Sequence, residues 1–153
     1  IMNKKQKSLT NKGFSLVELI IVIAIMAVLV GVLAPQFIKY VEQSRKSTDI
    51  QNAESIKTAV LADIADGKIT ASGTNVQFGN LNATSFAGDG SMATAITTAP
   101  TVQGSIGGKK AKGFFVTYDA SAGTCSVSVT DDAGTTSYVL TEATTADSYK
   151  NAN

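Results

Sequence analysis

Lys12-Gly13-Phe14-Ser15-Leu16-Val17-Glu18 opens onto LIIVIAIMAVLVGVLA over residues 19–34, a run with no polar or charged side chain before Pro35. From Phe14 to Ile38 the only charge is Glu18. A helix of that length is about 37 Å long at 1.5 Å per residue, enough to cross a hydrocarbon core of about 30 Å. Lys4, Lys5, Lys7 and Lys12 all precede the run. Basic residues ahead of an apolar span keep the N-terminus cytoplasmic and place the remainder of the chain on the far side.

An ordinary secretory signal does not fit. Its apolar region is about 7–15 residues long and ends at a small-residue cleavage site, whereas a cut after Val32-Leu33-Ala34 would leave Pro35 as the next residue. A plain transmembrane anchor fits the length but leaves Glu18 unexplained. An ionised acid within an apolar span is costly and calls for a partner, and no basic residue lies within the span.

The stretch Lys12 to Glu18 resembles the class III signal of type IV prepilins and of type II secretion pseudopilins. The resemblance implies cleavage by a membrane-embedded prepilin peptidase between Gly13 and Phe14, N-methylation of Phe14, and retention of the apolar helix. Glu18 then becomes the fifth residue of the mature chain, and Pro35 falls where family members place a proline. The glycine that many pilins carry midway along this helix is replaced by Ala27, the nearest glycine being Gly31. The assembly residues expected on this basis are Glu18, Gly31 and Pro35. Glu18 would pair with the Phe14 amine of a neighbouring subunit, since an unpaired charge in an apolar bundle costs about 3–5 kcal/mol. Gly31 and Pro35 would weaken the helix locally, because proline cannot donate to the carbonyl four residues back.

The domain organisation expected is a leader over 1–13, an apolar half-helix over 14–35 and an exported domain over 36–153. After Pro35, Val41, Ala53, Ile56, Val60 and Ile64 recur on one face, with Lys39, Glu42, Arg45, Lys46, Asp49, Glu54 and Lys57 assigned to the solvated remainder. This predicts an amphipathic helix over 36–66 ended by Gly67. Residues 67–112, with scattered Val76, Phe78 and Leu81 among Gly, Ser, Thr and Asn, read as a variable connection with little regular structure. Three segments rich in Val, Tyr, Phe and Thr at 113–118, 124–130 and 135–141 are separated by turn residues and predict an antiparallel meander. Residues 142–153 read as a loosely attached tail. The fold class expected is α+β, a long N-terminal helix on a small antiparallel sheet.

Composition narrows the chemistry. The 153 residues hold one cysteine, Cys125, and no histidine, which removes disulfide frameworks, Cys/His zinc sites and histidine acid–base catalysis. Cys125 reads as a small core residue. Asp131-Asp132 falls short of the six to eight oxygens of a calcium site and reads as a solvated turn, and Lys109, Lys110 and Lys112, a small basic cluster beside Gly107-Gly108, read as a solvated loop, the alternative being contact with an anionic surface or DNA outside the cell. With the leader lysines set aside, nine basic residues face 12 acidic ones, so no specific nucleic-acid partner is predicted. No enzyme, cofactor or metal is implied.

The resemblance implies a structural subunit that polymerises into an extracellular filament for adhesion, motility or DNA uptake. Its partners would be the prepilin peptidase, an assembly platform protein, a motor ATPase, membrane lipid before assembly, and other copies of itself. It would begin as a single-pass membrane precursor and end on the cell surface. The alternatives are a pseudopilin of a type II secretion system and an uncleaved, membrane-anchored extracellular binding module.

Overall fold

The computed structural model describes residues 13–78 and 100–152. The leader lysines and Leu81 lie outside the described residues. The chain has two compact units, Ile1–Ile38 and Lys39–Asn153.

Helix α1 runs over Leu16–Ala65, with Pro35 inside it. A Schellman motif closes its end: Gly67, at φ 72°, donates to the Ile64 carbonyl (3.0 Å), and Lys68 donates to that of Asp63 (2.9 Å). Lys68 Nζ also pairs with Asp63 (3.3 Å) and Asp66 (3.4 Å). In the first unit the large apolar side chains from Leu16 to Ile38 are between 50% and 72% exposed. This part of the helix is long and apolar enough to cross a membrane, with mean hydropathy 3.1 over an 18-residue window.

The second unit is built on a four-stranded antiparallel sheet of order β1-β4-β5-β6, from β1 (Gly73–Phe78), β4 (Phe114–Asp119), β5 (Thr124–Thr130) and β6 (Ser137–Val139). A separate hairpin joins β2 (Ser105–Ile106) to β3 (Lys109–Lys110), and α2 covers Ala143–Asn151. In β4, Phe114, Val116 and Tyr118 alternate inward; Val116 faces Val127 and Phe114 faces Val129 across the β4–β5 register. These side chains close over Ala53, Ile56 and Val60 of α1 to form the core. Burying each such aliphatic or aromatic side chain stabilises the fold by roughly 1.5–3 kcal/mol.

The meander β4-β5-β6 forms as expected, and the class is α+β. Two expectations are corrected. The range 67–112, expected to hold little regular structure, contains short strands among its described residues: β1 adds an edge strand against β4, with Val76 opposite Val116 and Phe78 opposite Phe114, and β2–β3 form a hairpin. Val76 and Phe78 are spaced by two, which is strand periodicity. Residues 142–153 are not a loose tail either, because α2 buries Ala146 and Tyr149. Cys125 is half-buried against the core, and burial pushes its thiol up to about 11.

Both turns of the meander are closed by an aspartate that gathers donors. Asp119 Oδ1 accepts from the Ser121 hydroxyl (2.6 Å), the Ser72 hydroxyl (2.9 Å) and the Ala122 and Ser121 N–H groups, holding its carboxyl at about 2. Asp131 accepts from the Thr135 hydroxyl (2.6 Å) and N–H (2.7 Å) and also lies at about 2. Since both folded-state values are depressed from 3.8, their stabilisation is present above about pH 4 and is lost as pH falls from about 4 towards 2. NMR titration of the two carboxyls should therefore find midpoints near 2; midpoints near 4 would show that these turns do not hold their aspartates.

Candidate functional site

The first turn of α1 carries the Glu18 half of a capping box, the bond back to the Ser15 N–H. Ser15 occupies the N-cap position, and Glu18, three residues on, accepts the Ser15 N–H at 3.0 Å through Oε2, while the Ser15 carbonyl accepts from Leu19 at 3.2 Å. The Ser-x-x-Glu spacing is the sequence signature of this motif, a local signal that an assembly role for Glu18 leaves out. The carboxylate also sits where the helix macrodipole favours negative charge. Glu18 thus has a local role within its own helix.

Phe14 is 90% exposed. A Cβ built on Gly13 would meet nothing within 4 Å, and the same is true of Gly31. Packing among the described residues therefore explains neither glycine. Helix α1 continues through Gly31 and Pro35, where the missing proline N–H withdraws the bond that the Gly31 carbonyl would otherwise accept.

With that geometry in view, a family model described as the prokaryotic N-terminal methylation motif matches residues 9–34. Over this N-terminal segment the chain is similar to type IV pilin-like proteins. Prepilin peptidase-dependent protein A of Clostridium perfringens is 39% identical over 85 residues, 54% of this chain and 60% of that protein. Type IV major fimbrial protein FimA of Dichelobacter nodosus is 37% identical over 57 residues, 37% of this chain and 36% of its own length. A fimbrial protein of Pseudomonas aeruginosa is 35% identical over 57 residues, 37% of each chain. The chain thus spans between about one third and three fifths of these curated relatives. No solved structure matches.

A second, unforeseen cluster sits in the Lys39–Asn153 unit, on the same helical stripe as the core. Glu42, Lys46, Asp49, Ala53, Ile56, Val60 and Asp63 succeed one another at steps of four and three, so they share one face. Periodicity assigns Lys46 and Asp49 to solvent, and the structure corrects this: Lys46 is 1% exposed and Asp49 0%, and Asp63 on the same face is 3% exposed. Asp49 accepts from the Gln103 N–H, the Gly104 N–H and the Tyr149 hydroxyl, each at 2.8 Å. Lys46 Nζ donates to the Ala152 carbonyl and stands 5.2 Å from the centre of the Tyr149 ring. Burial depresses the Lys46 ammonium against the opposing pull of Glu42 and Asp49, and burial together with Asp49 raises the Tyr149 hydroxyl. Burial also raises the Glu42 carboxyl, but the Ser105 hydrogen bonds and the Lys46 and Arg45 charges outweigh it, leaving the value below the ordinary one.

Gly104 is required by close approach: a Cβ there would lie 2.4 Å from the Tyr149 hydroxyl oxygen and 2.7 Å from Lys46 Cγ. The cluster ties α1, residues 103–105 and the C-terminal helix together without a disulfide. Among the described residues no group of three or more His, Cys, Asp or Glu side chains is placed to hold a metal ion.

Proposed function

We propose that this chain is the precursor of a type IV pilin-like structural subunit, cut between Gly13 and Phe14, N-methylated on Phe14 and polymerised through its apolar N-terminal helix into an extracellular filament. The observation that carries the reading is the methylation motif over residues 9–34 in register with a helix whose large apolar side chains from Leu16 to Ile38 lie exposed. An apolar helix of that length needs lipid before assembly and other helices after it. Two glycines that packing among the described residues does not explain, Gly13 and Gly31, support recognition by a peptidase and close packing by neighbours. A structural role accords with the fimbrial relatives, and the proposed partners are the prepilin peptidase, other copies of the chain, an assembly platform protein and a motor ATPase.

In this reading the precursor spans the membrane once and the Lys39–Asn153 unit lies outside the cell. Cleavage removes the lysines that anchor the cytoplasmic end and creates a cationic amine at Phe14, four residues before Glu18. The carboxylate then serves the capping box within its own helix and the amine of a neighbouring subunit.

Intact-mass and N-terminal peptide spectrometry on protein sheared from the cell surface should find a chain beginning at methylated Phe14; a chain retaining its leader would overturn the reading. Glu18→Gln separates the two roles of the side chain, because glutamine also closes a capping box but carries no charge. The helix should form unchanged while filament yield falls at least tenfold. Normal yield from Glu18→Gln would show that capping is the whole of its role.

A further inference from the structure

At the end of the sheet where β4 turns into β5, with Asp119 opposite Thr124, a cleft of about 430 Å³ opens beside the start of α2. Asp119 and Glu142 line it together with Ser72, Thr74, Thr124 and Ser126, and no basic side chain among the described residues does so. Asp119 is held by the donors of its turn. Glu142 is exposed and stands at the N-cap position of α2 without making a side-chain cap bond, the bond that serine, threonine, aspartate or asparagine supplies there. Its carboxylate is therefore not spent on its own helix. Lys57, whose charge reaches Cys125 in the cleft, is paired with Glu54 at 3.9 Å.

The β2–β3 hairpin lies at the other end of the sheet. Lys112, which leads from it into β4, donates its N–H to the Thr130 carbonyl at the end of β5 (3.0 Å), and β4 then runs six residues to Asp119, about 20 Å at strand rise. Along α1 the order is the same. Glu42 holds Ser105 and Asp49 holds Gly104, whereas Lys57, near the cleft, lies about 22 Å beyond Glu42 at 1.5 Å per residue. Adjacent strand residues project to opposite faces, so the hairpin lysines do not act as a group. Lys110 and Lys112 border a groove over Phe78 and Val102 on the domain itself. Lys109 instead adjoins the exposed Gly107-Gly108 turn, whose glycines both take positive φ, 59° and 75°, as a two-residue hairpin turn demands. Asp131, at the hairpin end, is taken up by Thr135, and the ion pairs among the described residues include neither Lys109 nor Glu142.

We infer that the cleft beside Asp119 and Glu142 receives Lys109 from the hairpin of a second copy of this chain, in a head-to-tail contact between Lys39–Asn153 units. A donor at one end of the domain and a receptor at the other make a heterologous contact, which repeats as an open helix when its rotation does not close a ring. Copies displaced along their helices bring the hairpin end of one to the cleft end of the next, and in that respect the contact rests on the polymerisation proposed above. Lysine suits the cleft as a compact charge on a flexible stem, with three N–H donors to share between carboxylate and hydroxyl oxygens.

The test is zero-length carbodiimide coupling of sheared filaments, which joins an amine to a carboxylate only where the two touch, followed by peptide mass spectrometry. A link from Lys109 to Glu142 is expected in wild-type filaments. Lys109→Glu and Glu142→Lys, both at exposed positions, should each lower the dimer linked through positions 109 and 142 at least tenfold. The double variant Lys109→Glu/Glu142→Lys should recover it to within about twofold of wild type, with amine and carboxylate exchanged. Wild-type filaments without the link, or a double variant that stays unlinked, overturn the inference and leave the filament reading standing. Detergent-dissociated chain should give no link; an equal yield there would place the pair in contact within one chain and overturn the inference as well. A chain that sheds no filaments at all fails at the earlier step and removes the filament reading together with the contact.

Discussion

Asp49→Ala is expected to destabilise the Lys39–Asn153 unit by about 3–5 kcal/mol, the usual cost of removing one partner from a buried charge cluster. Three donors lose their acceptor at once: the Gln103 and Gly104 N–H groups and the Tyr149 hydroxyl. Lys46, 1% exposed, also loses a neighbouring negative charge. Against a total stability of about 5–15 kcal/mol for an ordinary domain, that is a large fraction. The urea midpoint of the detergent-solubilised chain, followed by near-ultraviolet dichroism of its tyrosines, should drop by on the order of 2 M at a typical slope. Tyr149→Phe removes one hydrogen bond to a charged acceptor and should lose about 1.5–3 kcal/mol. Asp49→Asn, which keeps one side-chain carbonyl as acceptor, should lie closer to wild type than Asp49→Ala does. If Asp49→Ala melted within about 0.5 kcal/mol of wild type, as a neutral surface change does, the cluster would not be what closes the domain. Its importance comes from the chain's cysteine content: with a single cysteine, the C-terminal helix has no intrachain disulfide to hold it.

Gly13→Leu is expected to block cleavage and with it filament formation, lowering processed chain at least tenfold. The Lys39–Asn153 unit should be untouched, because Gly13 lies in the other compact unit and a Cβ built there meets nothing within 4 Å. The variant should accumulate in the membrane at the mass of the uncut precursor, with the urea midpoint of wild type. Efficient processing of Gly13→Leu would show that the glycine is not read by the peptidase. The two variants separate processing from folding: Asp49→Ala leaves the processing signal intact while loosening the domain, and Gly13→Leu does the reverse.

The N-terminal half of α1 was legible because its physics is local. A basic leader, an apolar span of membrane length and one acid near its start constrain the chain without reference to any distant residue. The capping box at Ser15 and Glu18 is equally local, three residues apart in one turn. Helix closure at Gly67 and the β4–β5–β6 meander were likewise written in short-range signals: a glycine where the left-handed cap falls, and alternation of Cys125, Val127 and Val129 between turn residues.

What the tertiary structure alone decided are the partners of charged and isolated residues. Periodicity assigns a lysine or an aspartate to the solvent face, because a lone charge is costly to bury. Lys46 and Asp49 are buried because residues more than fifty positions away supply the compensating groups: Gln103, Gly104, Tyr149 and Ala152. No local pattern announces those partners. The same holds for β1, whose Val76 and Phe78 become strand residues only once β4 lies beside them, and for α2, whose sequence lacks apolar periodicity yet is fixed by buried Tyr149. The sequence by itself thus determined the apolar N-terminal half of α1, its methylation motif and the meander, all stabilised over neighbouring residues. Only the tertiary structure decided how the domain is closed, because that closure depends on hydrogen bonds between segments that meet only when the chain has folded.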